Sequence, residues 1–167
     1  MPQAQEAFLL VEHNEDDIIL TRRSFLKHKV LNPLHAVRSG EEAITYLKGE
    51  GRYSNRTEFA IPKTILLGLK MDGMDGFEVL HWIRQRPEFN EIRVVVLTSS
   101  NRVEDINHAY RLGANSFLVK PVDLSDILRI TQAVEGYWVW RAGSTEPELH
   151  QPDSLSKTAT KLEHDGN

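Results

Sequence analysis

Five positions at the ends of short apolar runs carry the side chains that could do chemistry in this sequence. Glu12 and His13 follow the first run, Gly68 and Thr98 follow the third and fourth, and Lys120 follows the fifth. Glu12 and His13 could bind a transition metal, but zinc sites usually have three or four ligands. A half-exposed histidine bonded to a neighbour is therefore the interpretation that we favour for His13.

An enzyme that uses the same cleft is the least favoured class of function. The sequence has neither an evident pair of nucleophile and base nor a glycine-rich phosphate-binding loop. It also has no cysteine, which excludes thiolate metal sites and cysteine nucleophiles. We therefore expect a protein that is not an enzyme.

The elements that must position these residues alternate between strands and helices. Runs rich in Val, Leu and Ile that are too short for helices predict strands, at 7–11, 34–37, 64–67, 92–97 and 116–119. Helical patterns between and after them predict helices, at about 14–28, 41–48, 76–86, 103–112 and 124–139. Five strand–helix units with right-handed crossovers predict a parallel sheet covered on both faces, with its site beyond the carboxyl ends of the strands.

Length and composition favour one globular domain with a tail. The chain has 167 residues and a net charge of only -4, so no basic excess indicates nucleic-acid binding. No apolar run approaches the roughly 20 residues of a membrane span, and a soluble cytoplasmic protein is expected. We predict a domain over residues 1–140, with a polar loop insertion at 49–62. Residues 141–167 are predicted to form a largely disordered polar tail.

Four segments together resemble the signature segments of response-regulator receiver domains. They read LLVEHNEDD, ILLGLKMDGMDGFEVL, VVVLTSS and LGANSFLVKPVD, and they occur in order between about residues 7 and 137. The loop insertion and the motif LVKPVDL are most similar to the stand-alone regulators of cyanobacterial and bacterial phytochromes. The resemblance implies a flavodoxin-like (βα)5 fold with strand order 2-1-3-4-5. It also implies a role in two-component phosphorelay signalling, with a sensor histidine kinase, and a phytochrome as a candidate, for a partner.

Two positions depart from the pattern that the resemblance implies. In the family, two carboxylates after the first strand bind Mg²⁺, and an aspartate at the end of the third strand accepts the phosphoryl group. Here the acceptor position is Gly68 and the second metal position is His13, while Glu12 matches. Glu12 and Lys120 alone give a pocket charge near zero, so we expect no cofactor and at most weak Mg²⁺ binding through Glu12.

Four further positions match the family's phosphoryl-binding and switch residues. Thr98 and Lys120 correspond to the residues that bind phosphoryl oxygens, Phe117 to the aromatic switch residue, and Pro121 to the proline after the lysine. Without an aspartate partner, the Lys120 amine is expected to turn toward Glu12 or water. Thr98 and Phe117 are expected to stay in one fixed state.

The leading hypothesis is a single-domain response regulator that acts by protein–protein interaction without phosphorylation. One alternative is a working phosphorelay receiver with an atypical acceptor such as Asp72, although its displacement from Gly68 favours a solvated loop aspartate. A second alternative is an engineered, phosphorylation-dead variant of an active regulator. Asp16 and Asp17 are interpreted only as acidic residues that favour the start of the first helix.

A second apolar stripe on the predicted fifth helix favours a homodimer. One stripe is enough to cover the sheet, so a second stripe rimmed by aromatic residues indicates a partner surface. We predict a homodimer through the fourth helix, fifth strand and fifth helix. Its predicted interface residues are Ile106, Tyr110, Ile130, Tyr137 and Trp140.

Overall fold

A computed structural model describes residues 6–120, residue 125, and the pairs 138–139 and 148–149. Five parallel strands form the main sheet, in the order β2-β1-β3-β4-β5. Their bounds are β1 Phe8–Val11, β2 Leu34–Val37, β3 Thr64–Gly68, β4 Arg93–Thr98 and β5 Ser116–Val119. This order confirms the predicted flavodoxin-like α/β fold.

Four helices connect the strands, and each begins close to its predicted residue. They are α1 Glu15–Lys27, α2 Gly40–Lys48, α3 Gly76–Arg84 and α4 Val103–Arg111. Asn14, Ser39 and Asp75 each accept a backbone N–H with their side chains at the starts of the first three helices. Such caps satisfy donors that a helix start leaves unpaired. They fix where each helix leaves the site edge of the sheet.

The hydrophobic core lies on both faces of the sheet. On one face, Phe8, Leu10 and Leu66 pack with Ile18 and Phe25 of α1. The other face packs against α2 and α3, through residues that include Leu9, Leu67, Tyr46, Leu80 and Ile83. Every residue of β3 is buried, as the apolar run predicted. Within the described residues, no helix has the length and apolar character needed to cross a membrane.

The prediction of a fifth helix over 124–139 is wrong at the C-terminal end of that range. Ser125 is helical, but Trp138–Val139 form strand β6, which pairs antiparallel with strand β7 at Glu148–Leu149. Val and Trp are β-favouring residues, and this local preference competes with the helical periodicity that we used. Four predicted site or interface residues lie outside the described residues: Pro121, Ile130, Tyr137 and Trp140. The predicted domain and tail limits stay predictions.

The loop insertion packs against a side chain of β2, the edge strand of the sheet. It contains a short 3-10 turn at Gly51–Tyr53. The ring centroid of His35 on β2 lies 5.2 Å from that of Phe59 and 5.8 Å from that of Tyr46. Arg56 donates hydrogen bonds to the carbonyl oxygens of Tyr46 and Leu47 and so ties the insertion to α2.

Partial burial of His35 makes the stability of this edge depend on pH. Burial lowers the pKa of His35, and a backbone hydrogen bond with Glu58 only partly offsets it. In the unfolded chain, the His35 side chain therefore takes up a proton with a pKa near the ordinary value of 6.5. In the folded chain, the same side chain takes up a proton only at lower pH. Stability is present above that pH and is lost as the pH falls toward the lowered folded pKa.

We expect His35→Phe to make the stability of the folded protein fall less steeply as the pH is lowered. Urea denaturation midpoints between about pH 7.5 and about pH 5.5 would measure it. The control is His81→Gln, since His81 is an exposed histidine on α3. Equal slopes for the unchanged protein and His35→Phe would contradict the assignment to His35.

Candidate functional site

Glu12 is the buried carboxylate of the site. It directly follows β1, and only 2% of its surface is exposed. Its Oε2 accepts a hydrogen bond from the Lys120 amine at 2.6 Å, and its Oε1 accepts the backbone N–H of Asn14 at 3.2 Å. A buried carboxylate needs such partners because burial disfavours its charge. The predicted turn of Lys120 toward Glu12 is confirmed.

Lys120 has a second carboxylate partner that the sequence did not reveal. Its Nζ donates to Oδ2 of Asp17, in the first turn of α1, at 2.8 Å. Burial acts most strongly on the pKa of Lys120 and lowers it. The hydrogen bonds and charges of Asp17 and Glu12 together outweigh burial and raise that pKa above its ordinary value. Lys120 is therefore a firmly charged ammonium between two carboxylates.

Gly68 leaves little free space at the acceptor position. It ends β3, and a Cβ built on it would lie 3.1 Å from Glu12 Oε2 and 3.1 Å from the Val11 carbonyl oxygen. The Glu12 carboxylate therefore already lies against Gly68. A Cβ on residue 68 would therefore require the Glu12 carboxylate to shift by a few tenths of an ångström.

His13 matches the interpretation of a half-exposed histidine beside Glu12. Its side chain is 46% exposed, and its Nδ1 lies 3.4 Å from Oε1 of Glu12. At this distance the two groups interact only weakly. His13 therefore adds no strong ligand to the site.

Thr98 and Phe117 lie close to the site on the neighbouring strands. Thr98 is buried, and its hydroxyl accepts the backbone N–H of Ser100 at 3.1 Å. Its carbonyl oxygen accepts the backbone N–H of Lys120 at 2.7 Å. Phe117 is partly buried against the core. The oxygen of the Thr98 hydroxyl thus accepts a bond within its own loop, while its O–H remains the group that could donate to an anion.

A cavity of about 410 Å³ opens beside His13 and the turn after β3. Asp72, Asp75, Asp105 and His13 line it together with Phe77. Two of these carboxylates already have structural roles. Asp75 accepts the backbone N–H of Glu78 at 2.9 Å, and Asp105 accepts the hydroxyl of Ser100 at 2.7 Å. Asp72 therefore shares the cavity with His13, while the cavity lining includes neither Lys120 nor Thr98 of the described chain.

The arrangement does not fit the Mg²⁺ ion that the family implies. Over residues 6–120 and the few later ones described, no group of three His, Cys, Asp or Glu could hold a metal ion. Glu12 is directed to the Lys120 ammonium, and Gly68 supplies no carboxylate. Hard cations need several oxygen ligands in one place. An ammonium thus stands beside the carboxylate that the family would use as a metal ligand.

The charge at the site differs from the value expected from the sequence. Glu12 and Lys120 alone sum to about zero, but Asp17 adds one negative charge and gives -1 with His13 neutral. Asp17 lies in the first turn of α1, which begins at this same edge of the sheet. The position of Asp17 in this first turn is the sequence feature that could have indicated its role, because the helices of this fold begin around the site.

Fold and site residues together define the class of the protein. Residues 8–132 match the family described as "Response regulator receiver domain", which covers well over half of the chain. The chain belongs to the response regulator receiver family, whose members act in two-component signalling. This finding confirms the resemblance in the four sequence segments.

Particular relatives link the chain to phytochrome response regulators. Response regulator Rcp1 of Synechocystis sp. is 34% identical over 134 residues, which cover 80% of this chain and 89% of that protein. The structure of the phosphorylated cyanobacterial phytochrome response regulator RcpA has a TM-score of 0.67 and 37% identity. That match covers 81% of this chain and 94% of RcpA. A structure of the Mn²⁺-bound form of Rcp1 has a TM-score of 0.65 and 33% identity, with 86% and 99% covered.

Proposed function

We propose that this response regulator signals without aspartyl phosphorylation, through protein–protein contacts with a sensor histidine kinase or with a second copy of itself. One observation carries the proposal. At the acceptor position the chain has Gly68, and the amine of Lys120 is bound by Glu12 and Asp17. The site therefore contains an internal ion pair in place of an acceptor.

Phosphoryl transfer has chemical requirements that this site does not meet. The acceptor must supply a nucleophilic oxygen, and the negative charge that develops on the phosphoryl group needs cations close by. Gly68 has no side-chain oxygen, and the Lys120 ammonium is already neutralised by two carboxylates. The remaining charge of -1 would repel an incoming phosphoryl group.

We expect acetyl phosphate with Mg²⁺, and beryllofluoride with Mg²⁺, to leave the protein unchanged. Intact mass and Phos-tag gels would detect a phosphoryl adduct, and a Mg²⁺ titration followed by Trp82 fluorescence would detect metal binding. RcpA, which has a structure in its phosphorylated form, is a matched positive control. A stable acid-labile adduct on the unchanged chain would refute the proposal. Its location on Asp72 would support the alternative of an atypical acceptor.

A sensor kinase is the proposed partner because the relatives are phytochrome response regulators. A phytochrome-type histidine kinase is therefore the candidate to test first. Binding without phosphorylation should be independent of ATP, since no phosphoryl group needs to move. Calorimetry with and without ATP would measure this. An affinity that appears only with ATP would contradict the proposal.

The homodimer that the sequence predicts also has support in the exposed surface of α4 and β5. Val103 and Tyr110 of α4 are 65% and 47% exposed, and Val119 of β5 is 41% exposed. Ile106 is partly exposed on the same helix. Exposed apolar groups on neighbouring elements are suited to a two-fold contact with a second copy.

We expect Val103→Asp combined with Val119→Asp to convert a dimer into a monomer at micromolar concentration. A charge placed in a closed apolar contact is costly to bury. Sedimentation velocity would measure the change. Leu26→Asp is the matched control, because Leu26 is 76% exposed on α1, away from this surface. A protein that is already monomeric, or a dimer that both changes leave intact, would contradict the predicted interface.

A further inference from the structure

The Lys120 amine reaches Glu12 across the middle of the sheet. In the order β2-β1-β3-β4-β5, strands β3 and β4 separate β5 from β1. Gly68 ends β3, on the path between the two charged residues, and a Cβ there would already touch Glu12 Oε2 at 3.1 Å. Glu12 is therefore the group that connects the two features, since its Oε2 faces Gly68 and also accepts the Lys120 amine.

We propose that Asp17 is a positioning residue that, with Glu12, locks the Lys120 amine in an internal ion pair, so that a carboxylate restored at position 68 would still lack its lysine. This inference rests on the proposed function, because it explains why phosphorylation would not return with a single substitution. Glu12, Asp17 and Lys120 are called the ion-pair lock below. The ion-pair lock would hold the site in a single state through the protein's own side chains.

Asp17 is well placed for this role. Its backbone N–H donates to the capping side chain of Asn14 at 3.2 Å, and its carbonyl oxygen accepts the hydroxyl of Thr21 at 2.8 Å. Its side chain is 33% exposed, so its bond to Lys120 is partly shielded from water. Partial shielding strengthens an ion pair relative to a fully exposed one. The lock joins α1 to the end of β5.

A new carboxylate at position 68 would compete with the lock in two ways. It would lie beside the Glu12 carboxylate, and like charges at that distance repel. It would also need the Lys120 ammonium, which Asp17 and Glu12 already hold. Removing the charge of Asp17 acts mainly on the second effect, because it weakens one bond of the ammonium. It also lowers the total negative charge of the site.

The test uses Gly68→Asp with His13→Asp as the background, incubated with acetyl phosphate and Mg²⁺. In the reaction, the introduced carboxylate attacks phosphorus, the bond from phosphorus to the acetate oxygen breaks, and acetate leaves. Adding Asp17→Asn should raise the initial rate of phosphorylation about tenfold. Adding Asp16→Asn should leave the rate unchanged, because Asp16 is the adjacent, exposed carboxylate. Equal rates with the two additions, including no phosphorylation in either, would overturn the lock.

A second measurement needs no restored acceptor. In the unchanged background, melting temperatures of Asp17→Asn, Lys120→Gln and their combination form a double-mutant cycle. If Asp17 and Lys120 are coupled, the combined variant should lose clearly less melting temperature than the sum of the losses in the two single variants. Additive losses would overturn the lock even if the unchanged chain proves inert to acetyl phosphate. A phosphorylated unchanged chain with a coupled cycle would instead refute only the proposed function.

Discussion

Lys120→Met is expected to lower the free energy of unfolding by about 2–3 kcal/mol. The substitution leaves Glu12 buried without its cation, and Glu12 has only 3% of its side chain exposed. Removing one partner of a fully buried ion pair costs about 3–5 kcal/mol. The Lys120 side chain is 25% exposed, so water screens part of the interaction and the expected loss is smaller.

Urea denaturation at neutral pH would measure the loss, with Lys48→Met as the matched control. Lys48 is 49% exposed and lies 3.8 Å from Glu50, so its substitution should cost less than about 0.5 kcal/mol. Adding Glu12→Gln to Lys120→Met should restore part of the stability, because the uncompensated charge is then gone. Equal losses for the two lysines would show that the pair contributes no more than a surface contact.

The strands and the helix starts could be predicted from the sequence because local chemistry specifies them. The run 64–67 is apolar at nearly every residue, and the strand Thr64–Gly68 is wholly buried. The helices α1 and α3 also begin close to the predicted residues, after the N-cap residues Asn14 and Asp75. Burial on both faces and side-chain capping act over a few residues, so their patterns are visible without the tertiary structure.

The role of Asp17 could not be predicted from local patterns. Asp16 and Asp17 are adjacent acidic residues in the first turn of α1, and both satisfy the preference of a helix start for negative charge. Only the hydrogen bond from the Lys120 amine, 103 residues away along the chain, distinguishes Asp17 from Asp16. A contact of this kind depends on the packed sheet and on the missing side chain at Gly68.

The end of the predicted fifth helix shows a different limit. Periodicity at helical spacing continued through Trp138–Val139, but these residues pair with Glu148–Leu149 as strands. Pairing with a segment ten residues further on is a non-local interaction, and no helical pattern reports it. The prediction of a helix through residue 139 is therefore wrong at Trp138–Val139.

Gly76→Ala is expected to be the most damaging small substitution near the site, with a loss of about 3 kcal/mol in the free energy of unfolding. Gly76 begins α3, and its backbone N–H donates to the carbonyl oxygen of Leu69 at 2.8 Å. A Cβ there would overlap the carbonyl oxygen of Gly68 and would lie 2.8 Å from the Cα of Leu69. These are backbone atoms of β3 and the turn after it, which cannot move without shifting the strand.

Gly68→Ala is the matched comparison, because its contacts are softer. Its new methyl would meet the end of the Glu12 side chain and the Val11 carbonyl oxygen, both at 3.1 Å. The Glu12 carboxylate can give way by rotation, so the expected loss is about 1 kcal/mol. Urea denaturation of both variants would give the order of the losses. If Gly76→Ala lowers the free energy of unfolding no more than Gly68→Ala does, the turn after β3 is free to move. The close contact of α3 with β3 would then not constrain the site.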